Sequence, residues 1–177
     1  MKRIFNMIAL LLLAAVFLTA VGCQKDEFAP PKGMEHAADP LASFYLYVPE
    51  EWKVDYTGGT GGAYYSDRDP SSVSVMAWAL PNTDTTVEDW WETNVGELTQ
   101  VFDNFTLVEE KNATVDEAHG KSYTYTASLA GVDYKYMQVA FVKDGSVYLF
   151  TYTSIPENFD SHLEDVAEML EFLTVKE

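Results

Sequence analysis

The chain has 177 residues, 11 basic and 28 acidic, and a formal net charge of −17. Such a charge repels phosphate backbones and anionic headgroups, so nucleic acid is excluded as a partner. Cys23 is the only cysteine, which excludes intradomain disulfides, cysteine-based metal sites and cysteine nucleophiles.

Lys2 and Arg3 give a short positive start, and residues 8–21 are uncharged and largely apolar. The run ends in small residues, Ala20-Val21-Gly22, followed by Cys23. This is the layout of a secretory signal. It is short for a spanning helix, which needs roughly 20 apolar residues. Leu18-Thr19-Ala20-Val21-Gly22-Cys23 resembles the lipobox of bacterial lipoprotein signals, with Ala20 where leucine is commoner. The resemblance implies that the Cys23 thiol receives a diacylglycerol, that a signal peptidase cuts before it, and that the new amino terminus is often acylated. Two or three buried chains, at about 0.8 kcal/mol per CH2, anchor stably where one does not. The expected location is the extracytoplasmic face of a cell membrane, or the outer membrane of a two-membrane bacterium.

Residues 1–22 are thus read as a removed signal, 23–42 as the lipidated cysteine with a flexible linker, and 43–177 as one globular domain. The remaining 155 residues lose two of the 11 basic residues and no acidic one, for a formal charge of −19. They suffice for one domain with a full core. A basic partner or cations would be compatible with that surface. Residues 24–42 carry Pro30, Pro31, Gly33 and Pro40 and no hydrophobic periodicity. As a flexible coil they would span roughly 25 Å.

Strands are expected over 44–48, 52–57 and 63–66, with Gly58 to Gly62 as a loop. Residues 72–80 alternate, with Val73, Val75, Ala77 and Ala79 on one face and Met76 and Trp78 on the other. The period then changes. Val87, Trp90, Trp91, Val95, Leu98 and Val101 share one side of a helix over 85–102, capped by Thr85 with Glu88. Trp90 and Trp91 cannot both point to the centre of its interface, so one is expected at the edge. Further strands follow at 105–115, 121–129, 132–143 and 146–153. Tyr123, Tyr125 and Ala127 share a face, and Asp144-Gly145 makes a two-residue hairpin. A last helix, about 156–173, starts with Pro156 in its first turn and has an apolar stripe of Phe159, Leu163, Val166, Leu170 and Leu173. Val147-Tyr148-Leu149-Phe150 is apolar on both faces and belongs in mid-sheet. The expected class is α+β: an α/β/α sandwich with a central, mainly antiparallel sheet of about six to seven strands and two principal helices.

Three pieces carry a family resemblance. They are Phe44-Tyr45-Leu46-Tyr47-Val48-Pro49-Glu50-Glu51-Trp52, then Gly120-Lys121-Ser122-Tyr123-Thr124-Tyr125, and then residues 144–153 leading through Pro156-Glu157-Asn158-Phe159 into the last helix. Over about residues 43–175 the chain resembles the PsbP-like superfamily, and within it the DcrB-like bacterial lipoproteins. The resemblance implies an α/β/α sandwich and action by docking onto other proteins, as extrinsic photosystem subunits and a binding partner of a small nuclear GTPase do. It supplies no shared catalytic motif. The basic surface expected of a photosystem subunit is absent.

The residues themselves offer little chemistry. No Gly-Lys-Ser/Thr follows the glycine loop, which excludes a P-loop. Asp67-Arg68-Asp69 could open a calcium loop, but Ser72 and Trp78 stand where such a loop needs its glycine and closing glutamate. It reads as a polar turn ending at Pro70. His36 falls in the linker, His119 in a turn and His162 on the last helix, without metal-ligand spacing. No Gly-x-Ser-x-Gly marks a nucleophile. Catalytic, cofactor and metal residues are therefore none, and Cys23 is the one assigned site. The expected function is that of a non-catalytic, membrane-tethered binding or accessory domain with an unidentified protein partner. One alternative is a small-ligand or cation-binding lipoprotein with a tyrosine-lined pocket between helix and sheet. Another is a cell-wall hydrolase, which would need two facing acids in a deep groove.

Overall fold

The computed structural model describes residues 28–57, 60–82 and 84–176. Cys23, the signal at 1–22, the first linker residues, and Gly58 and Gly59 lie outside them. In chain order the elements are β1 (Met34–His36), β2 (Phe44–Tyr45), β3 (Tyr47–Pro49), β4 (Lys53–Val54), β5 (Gly61–Tyr64) and β6 (Ser72–Ala79). Helix α1 (Val87–Val101) follows, then β7 (Asp103–Val115), β8 (Ala118–Leu129), β9 (Val132–Lys143) and β10 (Ser146–Ser154). The chain ends with α2 (Pro156–Phe159), a 3-10 turn (Asp160–His162), α3 (Leu163–Phe172) and β11 (Thr174–Val175).

Seven strands form one antiparallel sheet in the order β4-β5-β6-β10-β9-β8-β7. Small two-stranded pairings, β1 with β3 and β11 with β2, lie beside it. Strand β10 is central, and Val147, Tyr148, Leu149 and Phe150 are all buried, as two-sided cover requires. Tyr148, Phe150 and Tyr152 join Val139 and Phe141 of β9 in a core with Val166 and Met169 of α3. Leu149 and Ala140 face the other way, against Val87 of α1. This is the expected α/β/α sandwich.

The long hairpins turn tightly. Asp144-Gly145 has positive φ at both residues, and so do Asp116-Glu117 and Ala130-Gly131. Paired left-handed residues match the right-handed twist of the flanking strands. Gly120 on β8 is fixed for another reason: a Cβ there would lie 2.4 Å from the Ala140 carbonyl oxygen and 2.9 Å from Cβ of Phe141. Neither atom can yield without moving β9. Gly120→Ala is expected to cost about 1–3 kcal/mol, the range for overpacking. A shift of the urea midpoint at unchanged slope would show it, and an unchanged midpoint would mean that the sheet relaxes there.

Three expectations need correction. The linker ends before Met34, because Met34, Ala37, Ala38 and Ala42 are buried in the main core. The Ala37 N–H donates to the Leu46 carbonyl, and the Gly62 N–H donates to the Ala37 carbonyl. These bonds stitch the stretch between β3 and β5, and they place His36 on β1. Helix α1 starts two residues late, with Thr86 and Asp89 forming the reciprocal capping box. In that box Thr86 Oγ1 accepts from the Asp89 N–H. The last helix is interrupted by the 3-10 turn, so Leu163 is exposed and Met169 is fully buried.

Candidate functional site

The histidines are separated: His36 on β1, His119 on β8 and His162 in the 3-10 turn. Among the described residues no group of three or more His, Cys, Asp or Glu side chains could hold a metal ion. His162, 5% exposed, is instead the centre of a structural knot. Its Nε2 lies 2.9 Å from Asp69 Oδ2. The ionised carboxylate can only accept, so Nε2 carries the proton. The Tyr65 ring packs 4.2 Å from the imidazole, and the Trp52 ring meets it edge-on at 5.4 Å. Trp52 Nε1 donates to Asp165 at 2.9 Å.

Asp69 also accepts from the Ser71 amide and hydroxyl, at 3.1 and 2.6 Å. Ser71 Oγ is 2.7 Å from Ser154 Oγ, and both serines are buried. Burial opposes ionisation of Asp69, but the bonds from His162 and Ser71 outweigh it and hold its pKa at about 2. The Asp67-Arg68-Asp69 segment is thus a turn, in which the Ser66 N–H donates to the Asp69 carbonyl at 3.0 Å. Asp67 pairs with Lys53.

The tyrosines beneath α1 form a stacked aromatic cluster. Tyr125 and Tyr136 stack at 4.9 Å, and Trp91 lies flat on Tyr123 at 3.7 Å and 3°. Burial raises the hydroxyl pKa of Tyr123 and of Tyr136 to about 12. Burial pushes Tyr125 up as well. These rings cluster beneath α1, where the sequence allowed a tyrosine-lined pocket.

Open clefts indent the described surface. One of about 310 Å3 is lined by Asn104, Ser128, Asp133 and Tyr134 among others. A second, of about 300 Å3, includes Glu88 and His119. A third, of about 250 Å3, includes Asp55 and Gly62. A fourth, of about 270 Å3, is lined by Trp78, Trp90, Thr93, Asn94 and Glu97. Each holds one carboxylate, whereas a glycosidase places two across its substrate.

The amino-terminal strap forms another surface. Phe28 stacks on Tyr45 at 4.4 Å, and Tyr47 Oη donates to the Phe28 carbonyl at 2.7 Å. His36 meets both tyrosine rings edge-on. Partial burial, with the nearby Lys176 charge, lowers its pKa. Lys176 Nζ sits 4.7 Å over Tyr45 and donates to the Pro40 carbonyl at 3.1 Å. Among the described residues no helix is long and apolar enough to cross a membrane.

No protein-family model and no curated protein matches the chain. Solved structures do match it in fold. The solution structure of cyanobacterial PsbP (CyanoP) from Synechocystis sp. PCC 6803 aligns with a TM-score of 0.60 at 14% identity, over 83% of this chain and 95% of that one. LpqN of Mycobacterium tuberculosis, described as involved in cell envelope biogenesis, aligns with a TM-score of 0.59 at 15% identity, over 81% and 92%. PA94 of Pseudomonas aeruginosa, a protein of unknown function, aligns with a TM-score of 0.50 at 13% identity, over 76% and 92%. The chain therefore shares its fold with cyanobacterial PsbP and LpqN. At these identities the likeness is one of fold.

Proposed function

We propose that the chain is an envelope lipoprotein, tethered by acyl chains on Cys23, whose PsbP-like domain binds a protein partner and catalyses nothing. The observation that carries this reading is the docked strap. Phe28, five residues beyond Cys23, is already stacked on Tyr45. A fully extended chain gains at most about 3.6 Å per residue, so the leash reaches about 18 Å. A lipidated Cys23 would hold the domain close to the bilayer, with the rest of its surface free for a partner.

Charge supports a basic partner. Lys53, Lys111, Lys121, Lys135 and Lys143 are each paired with a carboxylate. Glu164, Glu168 and Glu171 form an exposed stripe on α3 without ion pairs among the described residues. Such a stripe steers a positive surface to the domain. The description of LpqN as an envelope-biogenesis protein favours the same compartment.

The tether is tested by Cys23→Ser. Wild type is expected in the detergent phase and the variant in the aqueous phase, with the same thermal transition. Aqueous partitioning of both proteins would reject the lipoprotein reading. Capture with the full chain, run beside a Glu164/Glu168/Glu171→Gln variant, tests the partner. A protein retained by wild type and lost by the variant supports docking on α3, and identical profiles refute it.

A further inference from the structure

The turn between β1 and β2 holds Leu41 out into solvent at 96% exposure, the highest of any large apolar side chain among the described residues. The turn is pinned from within. Asp39 accepts from the Leu41 N–H through Oδ1 at 2.8 Å, and from the Ala42 N–H through its carbonyl at 2.9 Å. The Asp39 N–H donates to the Thr60 carbonyl at 2.7 Å, and Ala38 and Ala42 on either side are buried. Leu41 therefore cannot fold back onto the domain. A lone exposed leucine is ordinary on a surface, but this one is joined to the strap. Lys176 Nζ donates to the Pro40 carbonyl at 3.1 Å and lies 4.7 Å over the Tyr45 ring, and Tyr45 stacks on Phe28 at 4.4 Å. Phe28 is itself 43% exposed, as are, to solvent, Ala29 and Pro30 beside it and Pro40 beside Leu41.

The occupant of this face follows from where the chain leads. Cys23 lies five residues before Phe28, so lipid on its thiol brings the bilayer within about 18 Å of the strap. Gln24, Lys25, Asp26 and Glu27 in between bring no apolar side chain that could cover Leu41. Leucine, phenylalanine, tyrosine and lysine together suit the boundary between headgroups and acyl chains, where a lysine lays its stem on apolar surface and keeps its charge in water. Lys53, Lys111, Lys121, Lys135 and Lys143 pair with carboxylates, whereas Lys176, and Lys32 on the strap, pair with none among the described residues. Their charges are left for lipid phosphates. The chain as a whole is strongly acidic, and Glu35 and Asp39 lie in this same stretch, which selects zwitterionic over anionic lipid. We propose that this face seats on the headgroup boundary of a zwitterionic bilayer, with Leu41 inserted towards the acyl chains and Lys176 at the phosphates. The seat rests on the tether and adds what the tether leaves open: which side of the domain is turned to the membrane.

Spin labelling of the full lipidated chain in phosphatidylcholine vesicles tests it. A nitroxide on Ser43→Cys, two residues from Leu41, reports this face. A nitroxide on Thr93→Cys reports α1, on the opposite layer of the sandwich. Both positions are exposed, and lipid closes the Cys23 thiol to the label. On vesicles recovered by flotation, the Ser43 label should collide less with a water-soluble nickel chelate than the Thr93 label does. The inserted leucine should favour the seated orientation by roughly tenfold, the equivalent of about 1.4 kcal/mol. Leu41→Asp should therefore abolish the difference between the labels. It should leave the thermal transition unchanged, because the Leu41 side chain stands in solvent. Two labels equally open to nickel on floated vesicles, or shielding at Ser43 that Leu41→Asp leaves intact, overturns the seat while the tether stands. Shielding that needs added envelope protein also overturns it, and would assign the face to a protein partner. A chain that does not float overturns tether and seat together.

Discussion

A chain ended at Ser154 is expected not to fold. The missing segment carries Phe159, Val166, Met169, Leu173 and Val175, each at most 6% exposed. At roughly 1.5–3 kcal/mol per buried side chain, their loss amounts to about 10 kcal/mol. That is comparable with the whole stability of a typical domain, about 5–15 kcal/mol. The truncation would also uncover Tyr148, Phe150 and Tyr152 on the central strand and strip Trp52 of its Asp165 acceptor. Strand β2 would lose its β11 partner as well. The product should aggregate or bind hydrophobic dye, without a cooperative unfolding transition. A truncated chain that remains monomeric with a sharp transition would make the final helix peripheral, and the two-sided sandwich would not account for stability.

The opposite helix makes a smaller demand. On α1 only Val87 and Trp91 are buried, while Leu98 and Val95 are half-buried and Val101 is 65% exposed. Its 3.6-residue periodicity shows which way the helix faces, but not that it covers only part of the sheet. The Trp78 and Trp90 cleft arises from that partial cover. In the sequence, Met76 and Trp78 show only as the second face of an alternating strand. The split between Trp90 and Trp91 was legible, because neighbouring helical positions are about 100° apart. Trp91 takes the buried place on Tyr123, and Trp90 takes the edge.

Where the reading fell short, the causes are local. Proline and glycine in 30–40 suggested a linker, yet Ala37 and Ala38 are buried by their smallness, close against the chain at Gly61. A Cβ on Gly61 would lie 2.8 Å from the Phe44 ring, so strap, loop and strand fit only with small residues at this crossing. At the other end, an unbroken helix predicts a stripe through Leu163 and Leu170. Three residues of 3-10 geometry advance about 120° each instead of about 100°, a phase change of roughly 60°. His162 and Met169 then turn fully inward, Leu163 turns out to the surface, and Leu170 stays partly buried against the core. No local pattern marks His162 for burial, because the carboxylate that satisfies it lies 93 residues earlier in the chain.

That long-range pairing makes stability depend on acid. Asp69 ties the 66–71 turn to the 3-10 turn through His162, and to the end of β10 through Ser71 and Ser154. Asp69→Ala would leave two donors without an acceptor, His162 Nε2–H and the Ser71 amide, while the Ser71 hydroxyl could still donate to Ser154 Oγ. At about 1–3 kcal/mol per unsatisfied buried group, partly relieved by water, a loss of about 2–5 kcal/mol is expected near neutral pH. The pH dependence has a definite sign. The folded carboxyl is held at about 2, below the ordinary value of 3.8 that it regains on unfolding. Between these values the unfolded chain binds the proton more readily, so acid favours unfolding. The stabilisation from ionised Asp69 is complete above about pH 4 and is lost as the pH falls towards 2. Urea unfolding of wild type and Asp69→Ala at pH 6, 4, 3 and 2 would trace this loss. The gap between the two proteins should be widest at pH 6 and narrow steadily below pH 4. A gap that stays constant down to pH 2 would mean that Asp69 acts through packing alone, and that the charge on its carboxylate contributes nothing to the knot around His162.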